Sequence, residues 1–371
     1  MEKSESIRVG IAGAGFMGNV HSRSLVLAGA SSISEDIKPE LVVIADPDRD
    51  RADQVADRYG WQDRVESWRG MLDYDLDLIF AALPNSEHMP FIESASNQKA
   101  AVLLEKPLAS SITDARQMVD MTAEREDIRT GYMHRFLPAV QNAKTFIDDG
   151  GLGDIRAVRS VYLLNMRKAD GHADWRFDKD LAGNGASEDL GSHHIDLVQF
   201  LVGNVASVQA LTRTLDISGA PDATNDDMVA SLLEIEGGAI GTMQASRVSV
   251  GHPLTGYVEI DGDKGSLRVD RSTLNDFIFR DEDGLETRKA VRPSEPFSTL
   301  WSSATVQGAH PFSWHDSFAF QAAEMLQIAR GDTPETVWSA SMNDALQASE
   351  VVEAMAESSM QGRRVPVKQY P

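Results

Sequence analysis

The stretch GIAGAGFMG, Gly10–Gly18, sets Gly13, Gly15 and Gly18 in the spacing G-x-G-x-x-G. An apolar run beginning at Ile7 leads into it and a helical pattern follows. In that setting the first glycine permits a tight turn and the second lets the backbone approach a pyrophosphate. The third lets the helix pack closely on the strand. The helix N-terminus then presents its unpaired amides to the phosphates. Phe16 and Met17 belong to the same candidate cofactor contact. The next apolar run, LVVIAD, ends in Asp46, a carboxylate suited to the hydroxyls of an adenosine ribose. Its distance from the turn exceeds the usual ~20 residues, and the loop ASSISEDIKPE accounts for the excess. A carboxylate there repels a 2′-phosphate, so the expected cofactor is NAD; Arg49, close by, leaves NADP open.

Outward from this turn, LDLIFAAL and AAVLLEKP continue the alternation of short apolar runs with helical patterns, the mark of a doubly wound parallel sheet. From Ile155 the texture changes. IRAVRSVYLL, VASVQALTRTL, MVASLLEIE, GAIGTMQASRVSV, GYVEIDG, GSLRVD and NDFIFRD succeed one another, punctuated by Gly, Asp and Asn. They predict an α+β domain on a large, mostly antiparallel open sheet, flanked by helices near 186–202, 316–330 and 340–359. The expected division is a dinucleotide-binding domain over residues 1–130 and a substrate-binding and oligomerisation domain over 131–371. A formal charge of −22 argues against nucleic acid or an anionic membrane as partner. The absence of cysteine excludes disulfides, thiolate metal sites and a Cys nucleophile. MEKSESIRVG lacks the apolar core of a signal peptide, and no apolar run approaches the roughly 18 residues of a membrane span. The expectation is a soluble, cytoplasmic chain.

Two further segments fall where open α/β sheets bind ligands, at the carboxyl ends of strands. LLEKPLASS places Glu105 and Lys106 there, with Pro107 stiffening the exit; ALPNSEHMPF places Pro84, Asn85 and His88. Later, DLGSHHID has the form D-x-G-x-H-x-x-D. The glycine turn, P-N-x-x-H, E-K-P and this last motif, in that order, resemble the Gfo/Idh/MocA family of oxidoreductases. GYMHRFLPA with IDDGGLGDIRAV resembles the family's link into its second domain, and SFAFQAAEMLQIARGDTP its C-terminal helix. The resemblance covers nearly the whole chain. It implies a Rossmann domain plus an α/β domain whose open sheet serves homo-oligomer contacts, as dimer or tetramer. It also implies NAD(P)-dependent oxidation of a secondary hydroxyl on a sugar, glycoside or cyclitol. Lys106 would lie between nicotinamide and substrate, with Asp189 and His193 completing the catalytic set. Related activities within the resemblance are a redox glycosidase that holds NAD tightly and a non-catalytic sugar sensor. DWRFDK and the small-residue turn after it resemble members that oxidise pyranosides, such as levoglucosan and glycoside 3-dehydrogenases. Asn165, Arg167, Trp175 and Arg176 are the corresponding substrate candidates, by stacking on pyranose C–H faces and by forked hydrogen bonding. Met133 in GYMHRF stands where other members have Asn, so no substrate contact is carried over there.

Two histidines stand side by side in EDLGSHHID. On a helix wheel of about 100° per residue, His193 falls about 40° from Asp189, whereas His194 falls about 140° away in the apolar arc. His193 is therefore the expected acid–base residue and His194 a packed core histidine; Glu188 is expected to be solvated. A metal is the rival reading, from Asp189 with His193 or from His310, His315 and Asp316. Nothing resembles H-E-x-x-H, however, and no metal is expected. His193 suits proton abstraction because its ordinary pKa lies near 6.5. Lys106 suits stabilisation of an alkoxide, and which of the two is the primary base is left open.

Overall fold

The computed structural model describes residues 6–30, 37–166, 175–215, 223–290, 313–332, 334 and 336–370. Contacts divide the chain into two compact units: Met1–Lys106, Gln117–Phe136 and Arg292–Met342 in the first, Pro107–Arg116, Leu137–Val291 and Asn343–Pro371 in the second.

The first unit holds β1 (Ser6–Ala12), β2 (Lys38–Ala45), β3 (Asp63–Val65), β4 (Leu78–Ala81), β5 (Ala101–Leu104) and β6 (Ile128–Thr130). Among the described residues the sheet order is β6-β5-β4-β1-β2-β3, all parallel, with Ala340–Ser341 added antiparallel beside β6. β4 and β5 are buried at every residue, because a parallel strand covered on both faces needs an unbroken apolar run rather than alternation. Helix α1 (Phe16–Gly29) and α2 (Arg49–Tyr59) connect β1 to β2 and β2 to β3. From far downstream, the helix Trp314–Ala329 supplies Ala322, Ala323, Met325 and Leu326 to the same core as Ile7, Val9, Ile11, Leu25 and Phe80. After β1 the chain winds to β2 on one side and later to β4 on the other. The carboxyl ends of β1 and β4 therefore mark the switch point where such sheets bind ligands.

The second unit holds β7 (Ile155–Leu163), β8 (Val205–Arg213), β9 (Met228–Ile235), β10 (Ile240–Ser246), β11 (Thr255–Gly262), β12 (Gly265–Asp270), β13 (Asp276–Arg280) and β14 (Glu286–Ala290). Their order is β14-β13-β12-β11-β7-β10-β9-β8, with Val365–Pro366 beside β8. Pairing is antiparallel except for β7 with β10. Here burial alternates residue by residue, as in β9, because one face is covered and the other open. The helix Met342–Gln361 is tied to β8, where Ser358 and Ser359 hydroxyls accept the Ala210 and Thr212 amides at 2.9 Å.

Arg116 grips Glu350 of this helix with two hydrogen bonds, 2.7 and 2.9 Å, and the Tyr370 hydroxyl donates to the same carboxylate. Arg116→Ala leaves that carboxylate, 4% exposed, without its cation. The expected cost is about 1–3 kcal/mol, read as a lower denaturant midpoint, with Arg116→Lys falling between the variant and the parent because it lacks the fork.

Candidate active site

The glycine turn sits at the switch point of the first unit. Gly13 has φ +97°, and a Cβ there would lie 2.2 Å from the Ala82 carbonyl oxygen. A Cβ on Gly18 would lie 1.9 Å from the Gly13 carbonyl oxygen, so α1 can start this close to β1 only with glycine at both positions. Gly15, the residue capping α1, has nothing within 4 Å of its Cβ direction. Open space over an amide-bearing helix start is what a pyrophosphate requires. Asp46, 5% exposed, accepts the Ala14 amide at 2.7 Å and the Asp48 amide at 2.8 Å, which fastens the end of β2 to the turn. Glycines, free volume and carboxylate together fit a dinucleotide. The cation beside Asp46 is Arg51, at 3.7 Å, rather than Arg49. Phe16 is 66% exposed and stacks on Trp314 with centroids 6.4 Å apart; Met17 follows it, half-buried.

At the end of β5 the Glu105 carboxylate is engaged within the protein. One oxygen lies 2.7 Å from His21 Nε2 and the other accepts the Lys106 amide at 3.1 Å. His21 comes from α1 and is packed against Phe80 and Phe318. Sequence reasoning missed it: a lone histidine three residues past the last glycine carries no signal until the fold sets it under Glu105. His88 is fully buried and its Nε2 lies 3.1 Å from the Leu83 carbonyl, so it shapes the turn after β4. Asn85 is buried in that turn and Pro84 opens it, exposed.

In the second unit the segment bearing the paired histidines is a single π turn, Ser187–Gly191, running into the helix Ser192–Val202. The α-helix begins only at Ser192, so Asp189, in the π turn, leaves the wheel drawn for a continuous helix, while the contrast between His193 and His194 remains. Asp189 and His193 are both half-buried. His194 is 1% exposed, shares a 2.7 Å hydrogen bond with Ser160 Oγ through Nδ1, and stacks on Tyr162 at 4.7 Å. The Tyr162 ring also meets His193 edge-on at 6.3 Å, and its hydroxyl accepts Arg271 Nη1 at 3.2 Å. Burial, assisted by the Arg271 charge, lowers the His194 pKa to about 3, so its ring is neutral throughout the physiological range. Glu188 corrects the expectation of a solvated side chain: it is 6% exposed, because the π turn aims it inward.

Among the substrate candidates, Trp175 and Arg176 share a 3₁₀ turn, with the guanidinium 4.7 Å from the indole centroid. Asn165 bridges to Val248 just beyond β7. Arg167 and His310 lie outside the described residues. Asp316 caps the helix start, accepting from Ser313 N and Oγ. Among the described residues no cluster of three or more His, Cys, Asp or Glu has the makings of a metal site. None of their helices is long and apolar enough to cross a membrane.

Comparison with known proteins matches residues 7–132 to a family described as "Oxidoreductase family, NAD-binding Rossmann fold", and residues 140–268 to the "GFO/IDH/MocA C-terminal domain". A levoglucosan dehydrogenase of Pseudarthrobacter phenanthrenivorans is 30% identical over 288 residues, 71% of this chain and 73% of that protein. The scyllo-inositol 2-dehydrogenase (NAD(+)) of Bacillus subtilis is 27% identical over 271 residues, covering 71% and 73%. A solved levoglucosan dehydrogenase, in complex with NADH and levoglucosan, superposes with a TM-score of 0.87 at 25% identity, over 98% of this chain and all of the other.

The His194 shift makes stability depend on pH. The unfolded chain takes up a proton near pH 6.5 that the folded protein resists until about pH 3. The contribution is therefore complete above pH 6.5 and lost as pH falls towards 3, at up to about 1.4 kcal/mol per pH unit. Unfolding free energies of the parent and of His194→Gln, measured from pH 7 to 4, should diverge by this slope, with the variant flatter.

Proposed function

The chain belongs to the GFO/IDH/MocA family and is an NAD(P)-dependent dehydrogenase of sugar-class hydroxyls; we propose that its substrate carbinol is the C3 position of a pyranoside or an inositol-type carbinol, with NAD as the acceptor. The observation that carries this reading is the division of the paired histidines. His194 is sealed and neutral, whereas His193 is half-exposed, four residues after Asp189. The match to a levoglucosan dehydrogenase adds to it.

NAD, when bound, supplies the acceptor for the hydride leaving the carbinol carbon. Gly13, Gly15 and Gly18, with Phe16 and Met17 beside them, hold the pyrophosphate end, and Asp46 receives the ribose hydroxyls. Pro84, Asn85 and His88 shape the wall after β4. His193 takes the hydroxyl proton at Nε2, since its Nδ1 is shielded from solvent. Asp189 orients the ring and offsets the positive charge it gains. Lys106 stabilises the developing alkoxide through Nζ, and Glu105, held by His21, fixes the peptide from which Lys106 departs. Asn165, Arg167, Trp175 and Arg176 contact the sugar. In this reading the protein works in the cytoplasm as a dimer or tetramer, joined through the open face of the second sheet. Leu211, Leu232 and Ile240 on β8, β9 and β10 are exposed there.

The direct test is a reduction screen with NAD and NADP over inositols, aldoses, anhydrosugars and glycosides. Net NADH on a pyranoside or cyclitol is expected, with NAD preferred; silence over the panel, with NADH binding intact, overturns the reading. On the substrate so found, Lys106→Ala and His193→Ala should each lower kcat by about 10²- to 10⁴-fold, with NADH affinity nearly unchanged. Near-normal turnover in both variants removes these residues from the mechanism.

A further inference from the structure

Arg247 is 1% exposed and among the largest fully buried side chains of the described residues. It directly follows β10 and points at three partners. Its Nε donates to Asp227 Oδ1 at 2.8 Å, Nη2 to Asn225 Oδ1 at 2.8 Å, and Nη1 to the Arg176 carbonyl at 3.1 Å, while the guanidinium covers the Phe177 ring at 4.1 Å. Asn225 passes the connection on: its amide donates to the Arg176 carbonyl at 3.0 Å and the Gly183 carbonyl at 3.1 Å. Asp226, the next residue, takes the Ser187 amide at 2.9 Å and hydroxyl at 2.6 Å, and its carbonyl accepts the Ala186 amide at 2.8 Å. At Gly185 a Cβ would come within 1.9 Å of that carbonyl oxygen, so the entry to the π turn lies directly on the residues that lead into β9.

A buried guanidinium that spends its fork on side chains and on a loop carbonyl costs stability unless every partner is in place. What these bonds have in common is their destination: the carbonyls of Arg176 and Gly183 on one segment, and the backbone of residues 186 and 187 on the other. The first carries Trp175 and Arg176, and the second begins the π turn that ends at Gly191, two residues before His193. We infer that Arg247, Asn225 and Asp226 form a positioning hub that holds the sugar-contacting segment 175–183 and the catalytic turn 187–193 as one piece, so that substrate alignment and proton abstraction are set together. This rests on the roles proposed above for Asp189, His193 and Arg176. The hub residues touch no reacting atom and act through the backbone they hold.

Removing Arg247 outright strands the Asp227 carboxylate and threatens folding, so the test uses milder changes. Asp226→Ala removes both side-chain bonds to Ser187 and should lower kcat by about 10²-fold, the scale of a small misplacement of catalytic groups. Ser187→Ala removes one of them and should lower kcat less. Asp226→Asn keeps an acceptor for the Ser187 amide and should stay within about threefold of the parent. NADH affinity should not move in any of them, which a general loss of structure would not spare. Hydrogen exchange supplies a readout independent of turnover. Arg247→Lys keeps the charge but loses the fork, and should speed amide exchange in 175–183 and 186–193 together. Parent-like kcat in Asp226→Ala, or exchange that quickens in one segment alone or in neither, overturns the hub. If the parent oxidises no sugar in the screen, the functional reading falls by itself, and the exchange measurement still decides whether the two segments are coupled.

Discussion

The first unit depends on how closely α1 approaches the end of β1. Two carbonyl oxygens, of Ala82 and Gly13, occupy the places where side chains of Gly13 and Gly18 would begin. No flexible group can yield there, since both obstacles are backbone. This contact puts the Gly13 amide on the Ala45 carbonyl at 2.7 Å and the Ala14 amide on Asp46, so turn, helix start and second strand end share one geometry. It also brings His21 from α1 against Glu105, and so reaches the peptide before Lys106. A steric requirement at two glycines therefore organises the glycine turn and the lysine strand together.

In the second unit the governing constraint is electrostatic. Arg247 and Asp227 are buried as an ion pair, and a buried pair is tolerated only with its remaining hydrogen bonds satisfied. Asn225, Arg176 and Leu215 satisfy them. Next to this network the π turn leads into the helix that carries the paired histidines, which as neighbours on an α-helix face different surroundings. Ser160, Tyr162 and Arg271 enclose His194, while His193 meets the edge of the same tyrosine.

The glycine spacing, the carboxylate at the end of LVVIAD and the unbroken apolar runs were sufficient to predict a parallel nucleotide-binding sheet, because each is a local requirement on neighbouring residues. The alternating runs after Ile155 predicted the second sheet for the same reason, although the parallel pairing of β7 with β10 is long-range and leaves no mark on either strand. The histidine wheel separated His193 from His194 correctly but assumed a uniform helix. Glu188 fell on the wrong side because it lies within the π turn, which does not follow the α-helical wheel. His21, Tyr162 and Arg247 were not legible as site residues: each is an ordinary residue in an ordinary run, and its partner lies 20 to 109 positions away.

Sequence by itself determined what depends on neighbours along the chain: strand runs, glycine turn, cofactor class, and which histidine faces away from the apolar arc. Only the tertiary structure decided which charged groups are buried in pairs, which cation stands beside Asp46, and what holds Glu105 and the π turn. The physical reason is that burial and desolvation are properties of a place in the fold, and residues distant in sequence create that place jointly.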